Sequence, residues 1–198
     1  MPRGPRLIPK QGTFHIMIRG NNKRRVFYKH SEFVYFKKLI LRYKKKCGFL
    51  LYHYALMPNH IHLCIKALDN TNISKAMQGL QLSYHHFHRR RYTYVGHLWQ
   101  GRFKSRVIDK EDYLLTVGIY IEKNPVEGGI VKDPADYPWS SYRYYAYGEK
   151  DPLVDPNPLY MDLGRYAEER QTKYRELMQL RIEESKTVGR NDLQLAVL

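Results

Sequence analysis

The chain has 198 residues, of which 43% are hydrophobic, so it can bury a core of the size found in one domain, and a wholly disordered chain is excluded. It contains no run of 18 apolar residues and only two cysteines, Cys47 and Cys64, which argues against a membrane-spanning helix and excludes a disulfide framework. The formal net charge of +15 favours a polyanionic partner.

The positive charge is concentrated in the first three quarters of the chain. Residues 1–150 carry 27 Lys and Arg against 10 Asp and Glu, a net charge of +17, whereas residues 151–198 carry 7 against 9, a net charge of −2. The chain also has 18 tyrosines, whose rings can stack on bases. We therefore expect a nucleic-acid partner, although a basic surface that only confers solubility would give the same counts. Together with the lack of a long apolar run and of a cysteine framework, this partner leads us to expect a soluble, cytoplasmic, nucleoid-associated protein.

The first half of the chain predicts strand, helix and hairpin in that order. Apolar residues alternate over residues 13–19, which indicates a half-buried strand that ends in the turn Gly20-Asn21-Asn22. Ser31 is suited to cap a helix that runs to Cys47, with Gly48 at its end. Residues 49–57 then predict a strand joined through Pro58-Asn59 to a second, antiparallel strand.

The second half continues with an amphipathic helix from Ile73 to Phe87 and a strand over 102–108. Asp109 and Asp112 fit the capping positions of a third helix, which we expect to stop at Asn124-Pro125.

This order of elements predicts an α+β fold with a ferredoxin-like antiparallel sheet and helices on its faces. We expect a domain over residues 1–145. The C-terminal segment, residues 146–198, is expected to be irregular, with a charged helix over 164–186 and a partly mobile end.

Two histidines in the third predicted strand form the strongest chemical signal. His60 and His62 are two positions apart, so in a strand their side chains share one face, roughly 7 Å apart. Such a pair can clamp a metal ion. Cys64 continues the same face and suggests a zinc site as an alternative, but the sequence shows no fourth convergent ligand.

A tyrosine in the third predicted helix is a candidate nucleophile for the same site. Tyr120 and Asn124 are four residues apart and therefore share one helix face. If this face packs over the histidines, a phenol, two imidazoles and an amide oxygen surround a divalent ion, and the phenol oxygen can attack a phosphodiester. Tyr113 is the alternative nucleophile, and His15 is expected to be structural or a phosphate neighbour.

Four segments in this order resemble the single-tyrosine HUH transposases, especially the branch of REP-associated tyrosine transposases. They are Met57 to His62, Gly96 to Ser105, Tyr120 to Val126, and Tyr137 to Tyr142, and Arg19-Gly20-Asn21 also fits the pattern of that branch. The resemblance covers residues 13 to 143.

The resemblance implies a metal-dependent endonuclease and strand transferase that acts on single-stranded DNA beside a hairpin through a 5′-phosphotyrosine intermediate. Tyr120 would be the nucleophile, and His60, His62 and Asn124 would bind the metal. Two imidazoles and an amide suit Mn²⁺ at least as well as Mg²⁺, which is the more available ion. We expect a monomer over a homodimer, because the chain holds every residue that one site needs.

Further residues are expected to bind the DNA because they place positive charge or aromatic rings near the predicted site. They are Arg19, Asn21, Trp99, Arg102, Lys104, Arg106, Tyr142 and Arg143. Tyr142 and Arg143 have a second interpretation, in which they fix the C-terminal segment to the core. Two other functions stay open: a domesticated binder of structured DNA or RNA that does not cleave, and a hydrolase that uses water as its nucleophile.

Overall fold

The computed structural model describes residue 9 and residues 11–93, 96–109 and 113–187. Its strands and helices, in chain order, are β1 (Gly12–Arg19), α1 (His30–Cys47), β2 (Phe49–Leu56), β3 (His60–Ala67), α2 (Ile73–Arg91), β4 (Lys104–Ile108), α3 (Tyr113–Glu127), α4 (Tyr142–Tyr147), α5 (Pro158–Met161) and α6 (Ala167–Thr187). The four strands form one sheet in the order β2-β3-β1-β4, and all three pairings are antiparallel. This is the strand order of a ferredoxin-like fold, so the expected fold class is confirmed.

One face of the sheet carries the main core under α1 and α2. Ile16 of β1 pairs with Leu63 of β3, and the two side chains are fully buried on this face. Phe36 of α1 and Tyr84 of α2 complete the same hydrophobic cluster. The alternation of apolar residues in β1 and β3 therefore reflects burial beneath two helices.

The opposite face is covered by α3. Cys64 and Ala55 of the sheet are buried against Val117 and Ile121 of this helix. A helix can approach closely here because Gly118 has no side chain: a Cβ at this position would lie 2.4 Å from the ring of His53. The histidine face of β3 is thus an interface between the sheet and α3.

The C-terminal segment packs onto the same core as the sheet. The predicted boundary between residues 145 and 146 lies inside α4, and the two residues that flank it are fully buried. Three residues of α6, Tyr174, Met178 and Ile182, join the cluster that contains the sheet. The predicted charged helix is present, whereas the predicted mobile end lies mostly outside the described residues.

Two predicted helix ends were wrong. Lys29 precedes α1, with the Glu32 side chain accepting from its backbone N–H, so Ser31 lies inside the first turn instead of capping it. Pro125 does not end α3, which continues to Glu127. The helix continues because the Asn124 amide donates to the Ile121 carbonyl, which has lost the N–H of Pro125 as its partner.

Residues 110–112, which include the predicted cap residue Asp112, lie outside the described residues. Among the residues that are described, no helix combines the length and apolar character needed to cross a membrane.

Candidate active site

His60 and His62, the clamp histidines, lie at the start of β3, directly after the turn from β2. The pairing of β3 with β1 places His60 opposite Arg19 and His62 opposite Met17, and paired residues point to the same face of a sheet. The ring centres of His60 and His62 are 4.9 Å apart. Because α3 covers this face, side chains of α3 that point towards the start of β3 face the two imidazoles.

Tyr120 is the α3 residue that reaches the clamp. Its ring centre lies 6.1 Å from that of His62 and 5.9 Å from that of His15, in edge-to-face contact with both. Tyr113, two helical turns earlier, is 54% exposed. The structure therefore brings Tyr120 to the imidazoles and leaves Tyr113 at the surface.

The imidazoles are held in their neutral form. Burial, and then the charge of Arg19, lower the pKa of His60 from 6.5 to about 4. The pKa of His62 is lowered well below its usual value, first by burial and then by His15, His60 and Arg19. A neutral imidazole keeps a lone pair on one ring nitrogen, which is the form that binds a metal.

The phenol of Tyr120 is harder to ionise than a free tyrosine. Burial, and then the charge of Glu127, raise its pKa above 10. The ammonium of Lys123 lies 6.0 Å from the ring centre, but it is bonded to Glu127 at 2.7 Å and to Ser185 at 3.1 Å. Attack by this phenol at neutral pH therefore needs a further positive charge or a base.

Asn124, which is predicted to bind the metal, also stabilises α3 through hydrogen bonds of its side chain. Its amide nitrogen donates to the carbonyl oxygens of Tyr120 at 2.7 Å and Ile121 at 3.2 Å, and so completes the helix around Pro125. The amide nitrogen is thus committed to the helix, and the amide oxygen is the atom available to a ligand. Its metal-binding role stays a prediction.

Cys64 does not have the character of a metal ligand. Its side chain is fully buried beneath α3, and burial raises the pKa of its thiol far above the usual value, which opposes the thiolate form that binds zinc. In the described part of the chain, no group of three or more His, Cys, Asp or Glu side chains could hold a metal ion. A cation here would have to be held by the two imidazoles and by neutral or substrate oxygen atoms.

Three of the predicted DNA-binding residues line the histidine face of the sheet. The register places Arg106 opposite His15 and Lys104 opposite Met17 on the edge strand β4, and both are exposed. Arg19 lies opposite His60, and its Nε is buried with no hydrogen-bond partner among the described residues. A band of positive charge therefore runs along this face beside the imidazoles.

The loop before β4 is tied to the end of β1. The backbone N–H of Asn21 donates to Leu98, and the indole of Trp99 donates to the carbonyl of Gln81 in α2. Arg102 follows in the same loop and is exposed. Trp99 is partly buried against Tyr84, so this loop is anchored beside the site.

Tyr142 and Arg143 are held by contacts within the core and with the chain before α4. Tyr142 is 4% exposed and packs in the core, and the Arg143 Nε donates to the carbonyl of Ala135 at 2.6 Å. Of the two interpretations offered by the sequence, this arrangement favours fixation of the C-terminal segment.

Three partners of the site were not identified from the sequence. His15 Nε2 lies 2.8 Å from His62 Nδ1, and the Asn59 side-chain oxygen lies 2.6 Å from His60 Nδ1. The signal for Asn59 was its position next to His60. The contact of His15 required the β1–β3 register, which pairs it with Cys64 and places it diagonally across from His62.

The third partner is a buried network that fixes α3. Glu122, which is fully buried two residues after Tyr120, accepts hydrogen bonds from Ser141 at 2.5 Å and Tyr174 at 2.6 Å. Its carboxylate also lies 2.8 Å from His53 Nδ1, and the other nitrogen of that ring contacts Asn157. The network connects the helix of Tyr120 to β2, to Ser141 directly before α4, and to α6.

Comparison with known proteins identifies a transposase family. The family model described as "Transposase IS200 like" matches residues 10–124. No protein with a curated description matches the sequence significantly.

Two solved structures resemble the chain. A REP-associated tyrosine transposase, solved with a bound REP hairpin, has a TM-score of 0.62 at 21% sequence identity, and the match covers 78% of this chain and 94% of that one. A candidate transposase from Deinococcus radiodurans R1 matches at a TM-score of 0.43 and 16% identity, over 62% of this chain and 97% of that one, which is too weak to carry an argument.

The first similarity shows that the two proteins share a fold. The family model spans more than half of the chain and includes both clamp histidines, the tyrosine and Asn124. The chain therefore belongs to the IS200-like transposase family.

Proposed function

We propose that the protein cleaves and rejoins single-stranded DNA beside a hairpin, with Tyr120 as the nucleophile. The observation that carries this proposal is the contact of the Tyr120 ring with His62, at 6.1 Å between ring centres, on a helix packed over the histidine face. The branch of REP-associated transposases is the proposed relative, and single-stranded DNA with a REP-like hairpin is the proposed substrate class.

The reaction uses the phenol oxygen of Tyr120 in both directions. This oxygen attacks phosphorus, the bond from phosphorus to the 3′-oxygen breaks, and the 3′-oxygen takes up a proton as the phenol proton is lost. The product is a 5′-phosphotyrosine that keeps the energy of the broken ester. Attack by a different 3′-hydroxyl then releases the tyrosine and joins a new DNA strand without ATP.

The residues of the site fit a bound divalent cation, either Mg²⁺ or Mn²⁺. Both clamp histidines are neutral, so each ring keeps a lone pair that can bind a cation. The Asn124 oxygen is the proposed third protein ligand. When bound, the cation would withdraw charge from a non-bridging phosphate oxygen and favour ionisation of the nearby phenol.

Arg19 is proposed to bind the scissile phosphate. Its guanidinium lies next to His60 and His62, close enough for its charge to lower the pKa of both. Its buried Nε has no hydrogen-bond partner in the described part of the chain, and a buried N–H is normally paired. A phosphate oxygen would supply that partner and hold phosphorus near the phenol.

The DNA is proposed to follow two basic surfaces. The single strand would lie along Lys104 and Arg106 towards Tyr120. On the other side of the sheet, α1 and α2 together carry ten Lys and Arg and one acidic residue, the fully buried Glu32. Of these cations, Lys37 and Lys44 pair with Asp151 and Asp155, and the others provide a surface for the phosphates of a hairpin stem.

The test is an adduct assay with a labelled hairpin oligonucleotide that has single-stranded flanks. With Mn²⁺ or Mg²⁺, the wild-type protein should form a covalent adduct that survives denaturing electrophoresis. Tyr120→Phe should abolish the adduct, and Tyr113→Phe should retain it. Hairpin binding in EDTA should be the same for all three proteins.

The same assay separates the other functions. Metal-dependent cleavage without an adduct would indicate a hydrolase that uses water, and tight hairpin binding without cleavage would indicate a binder of structured DNA or RNA. The proposed site lies within one chain, which supports a monomer over a homodimer, and the mass measured by gel filtration with light scattering tests this point.

A further inference from the structure

We propose that Asn59 and His15 are positioning residues that fix the tautomers of His60 and His62, so that both rings present Nε2 to the cation. This inference rests on the proposed function, because it concerns the geometry of the same metal clamp. It assigns a role to two residues that carry none in the reaction described above.

The argument for Asn59 starts from a backbone carbonyl. The Asn59 amide nitrogen lies 3.2 Å from the carbonyl oxygen of Lys23, which can only accept a hydrogen bond. This contact fixes the orientation of the amide, so the Asn59 oxygen is the atom that lies 2.6 Å from His60 Nδ1. Since an amide oxygen can only accept, His60 Nδ1 carries the proton, and the lone pair of the neutral ring is on Nε2.

The argument for His15 follows from the contact between two imidazoles. His15 Nε2 and His62 Nδ1 are 2.8 Å apart, so one nitrogen donates and the other accepts. If His15 donated, the proton of neutral His62 would be on Nε2, and His62 could not bind the cation through that atom. The clamp geometry therefore requires His62 to donate from Nδ1 to His15 Nε2.

The packing around His15 supports a fixed acceptor at this point. The planes of the His15 and His62 rings make an angle of 23° and the ring centres are 5.1 Å apart, so the two rings lie side by side, as a hydrogen bond between ring nitrogens requires, and the Tyr120 ring is in edge-to-face contact with His15. If His15 donated to His62 Nδ1 instead of accepting from it, it would oppose binding of the cation by His62.

Loss of either acceptor is expected to release the ring it holds. An imidazole without a fixed partner on Nδ1 can populate the tautomer with the proton on Nε2 and can rotate about its side-chain bonds. Replacement of groups that orient metal-binding histidines typically weakens metal binding by about 10–100-fold. The same loss is expected here for His15→Leu and Asn59→Leu.

The experiment combines Mn²⁺ titration with a direct measurement of the tautomers. Mn²⁺ affinity is measured by calorimetry for the wild type, His15→Leu, Asn59→Leu and the matched variant His15→Gln, whose amide oxygen can accept from His62. Long-range proton–nitrogen spectra of the metal-free protein, labelled with ¹⁵N-histidine, report which nitrogen of each ring carries the proton. Hairpin affinity in EDTA and the thermal unfolding temperature check that the variants are folded.

The inference predicts Nδ1 protonation of His60 and His62 in the wild type, a 10–100-fold loss of Mn²⁺ affinity in the two Leu variants, and affinity within about threefold of wild type for His15→Gln. Protonation of Nε2 in either wild-type ring overturns it, even if the enzyme forms its adduct. Equal Mn²⁺ affinity of the wild type and folded Leu variants also overturns it and leaves the proposed function intact. The predicted tautomers and affinities without any DNA adduct would support the inference and refute the proposed function.

Discussion

Removal of the Tyr174 hydroxyl tests whether the C-terminal helix α6 stabilises the position of α3, the helix that carries the proposed nucleophile. Tyr174 of α6 is fully buried, and its hydroxyl donates to Glu122 of α3 at 2.6 Å. Tyr174→Phe removes this hydroxyl and leaves the ring in place. The change isolates one hydrogen bond between the C-terminal segment and the active-site helix.

The expected loss follows from the burial of both partners. A hydrogen bond to a charged group contributes roughly 1.5–3 kcal/mol, so Tyr174→Phe should lower the free energy of unfolding by about that amount. Glu122→Ala removes the acceptor of Ser141 and Tyr174 and the partner of His53 together, and leaving buried polar groups unpaired costs about 1–3 kcal/mol each. We therefore expect Glu122→Ala to be clearly more destabilising than Tyr174→Phe.

Equilibrium unfolding in urea provides the measurement, and Tyr166→Phe provides the matched control. Tyr166 is 66% exposed, so its hydroxyl removal should change stability by no more than about 0.5 kcal/mol. The double variant Tyr174→Phe/Glu122→Ala should be less destabilised than the sum of the single variants, because both remove the same contact. A loss for Tyr174→Phe no larger than that for Tyr166→Phe would refute the role of this network.

Three other expectations concern the same face of the sheet. Gly118→Ala should destabilise the protein by about 1–3 kcal/mol in urea unfolding, because its Cβ would lie 2.4 Å from the His53 ring; unchanged stability would contradict this packing. Asn124→Asp should destabilise more than Asn124→Ala, because its carboxylate replaces the amide donor with an acceptor opposite the helix carbonyls; thermal melts of the two variants decide the order. Folding lowers the pKa values of His15 and His60 from 6.5 to about 4. Between pH 6.5 and pH 4, the unfolded chain therefore binds protons at these two rings that the folded chain does not bind. The free energy of unfolding of the metal-free protein should therefore fall as the pH is lowered through this window. Urea unfolding at pH 7, 5.5 and 4.5 measures this fall, and an unchanged free energy of unfolding would contradict the burial of these rings.

The fold could be predicted from the sequence because its elements follow local periodicity. Alternating apolar residues identified β1 and β3, and three- and four-residue spacing identified α1 and α2. The continuation of α3 beyond Pro125 could not be predicted, because it depends on a side-chain donor, Asn124, that replaces the missing backbone N–H. Rules based on local sequence account for the backbone hydrogen bond that proline removes, but they do not account for a neighbouring side chain that replaces it.

The residues of the candidate site could be predicted from the sequence only where they lie close together in the chain or fall within the motifs of the family resemblance. His60 and His62 share a strand face by spacing alone, and the family resemblance identified Tyr120. The contact of His15 and the buried network of Glu122 depend on strand register and on the packing of α6, which bring together residues 47 to 69 positions apart. Such contacts are decided by tertiary structure, so composition and periodicity give no signal for them.

The most direct test of the account is the position of the covalent bond to DNA. After reaction of the wild-type protein with a hairpin oligonucleotide and Mn²⁺, nuclease and protease digestion should leave one peptide with an attached nucleotide, and fragmentation by mass spectrometry should locate the phosphate on Tyr120. A nucleotide on Tyr113 or on another residue, or cleaved DNA with no modified peptide, would contradict the assignment of Tyr120 as the nucleophile.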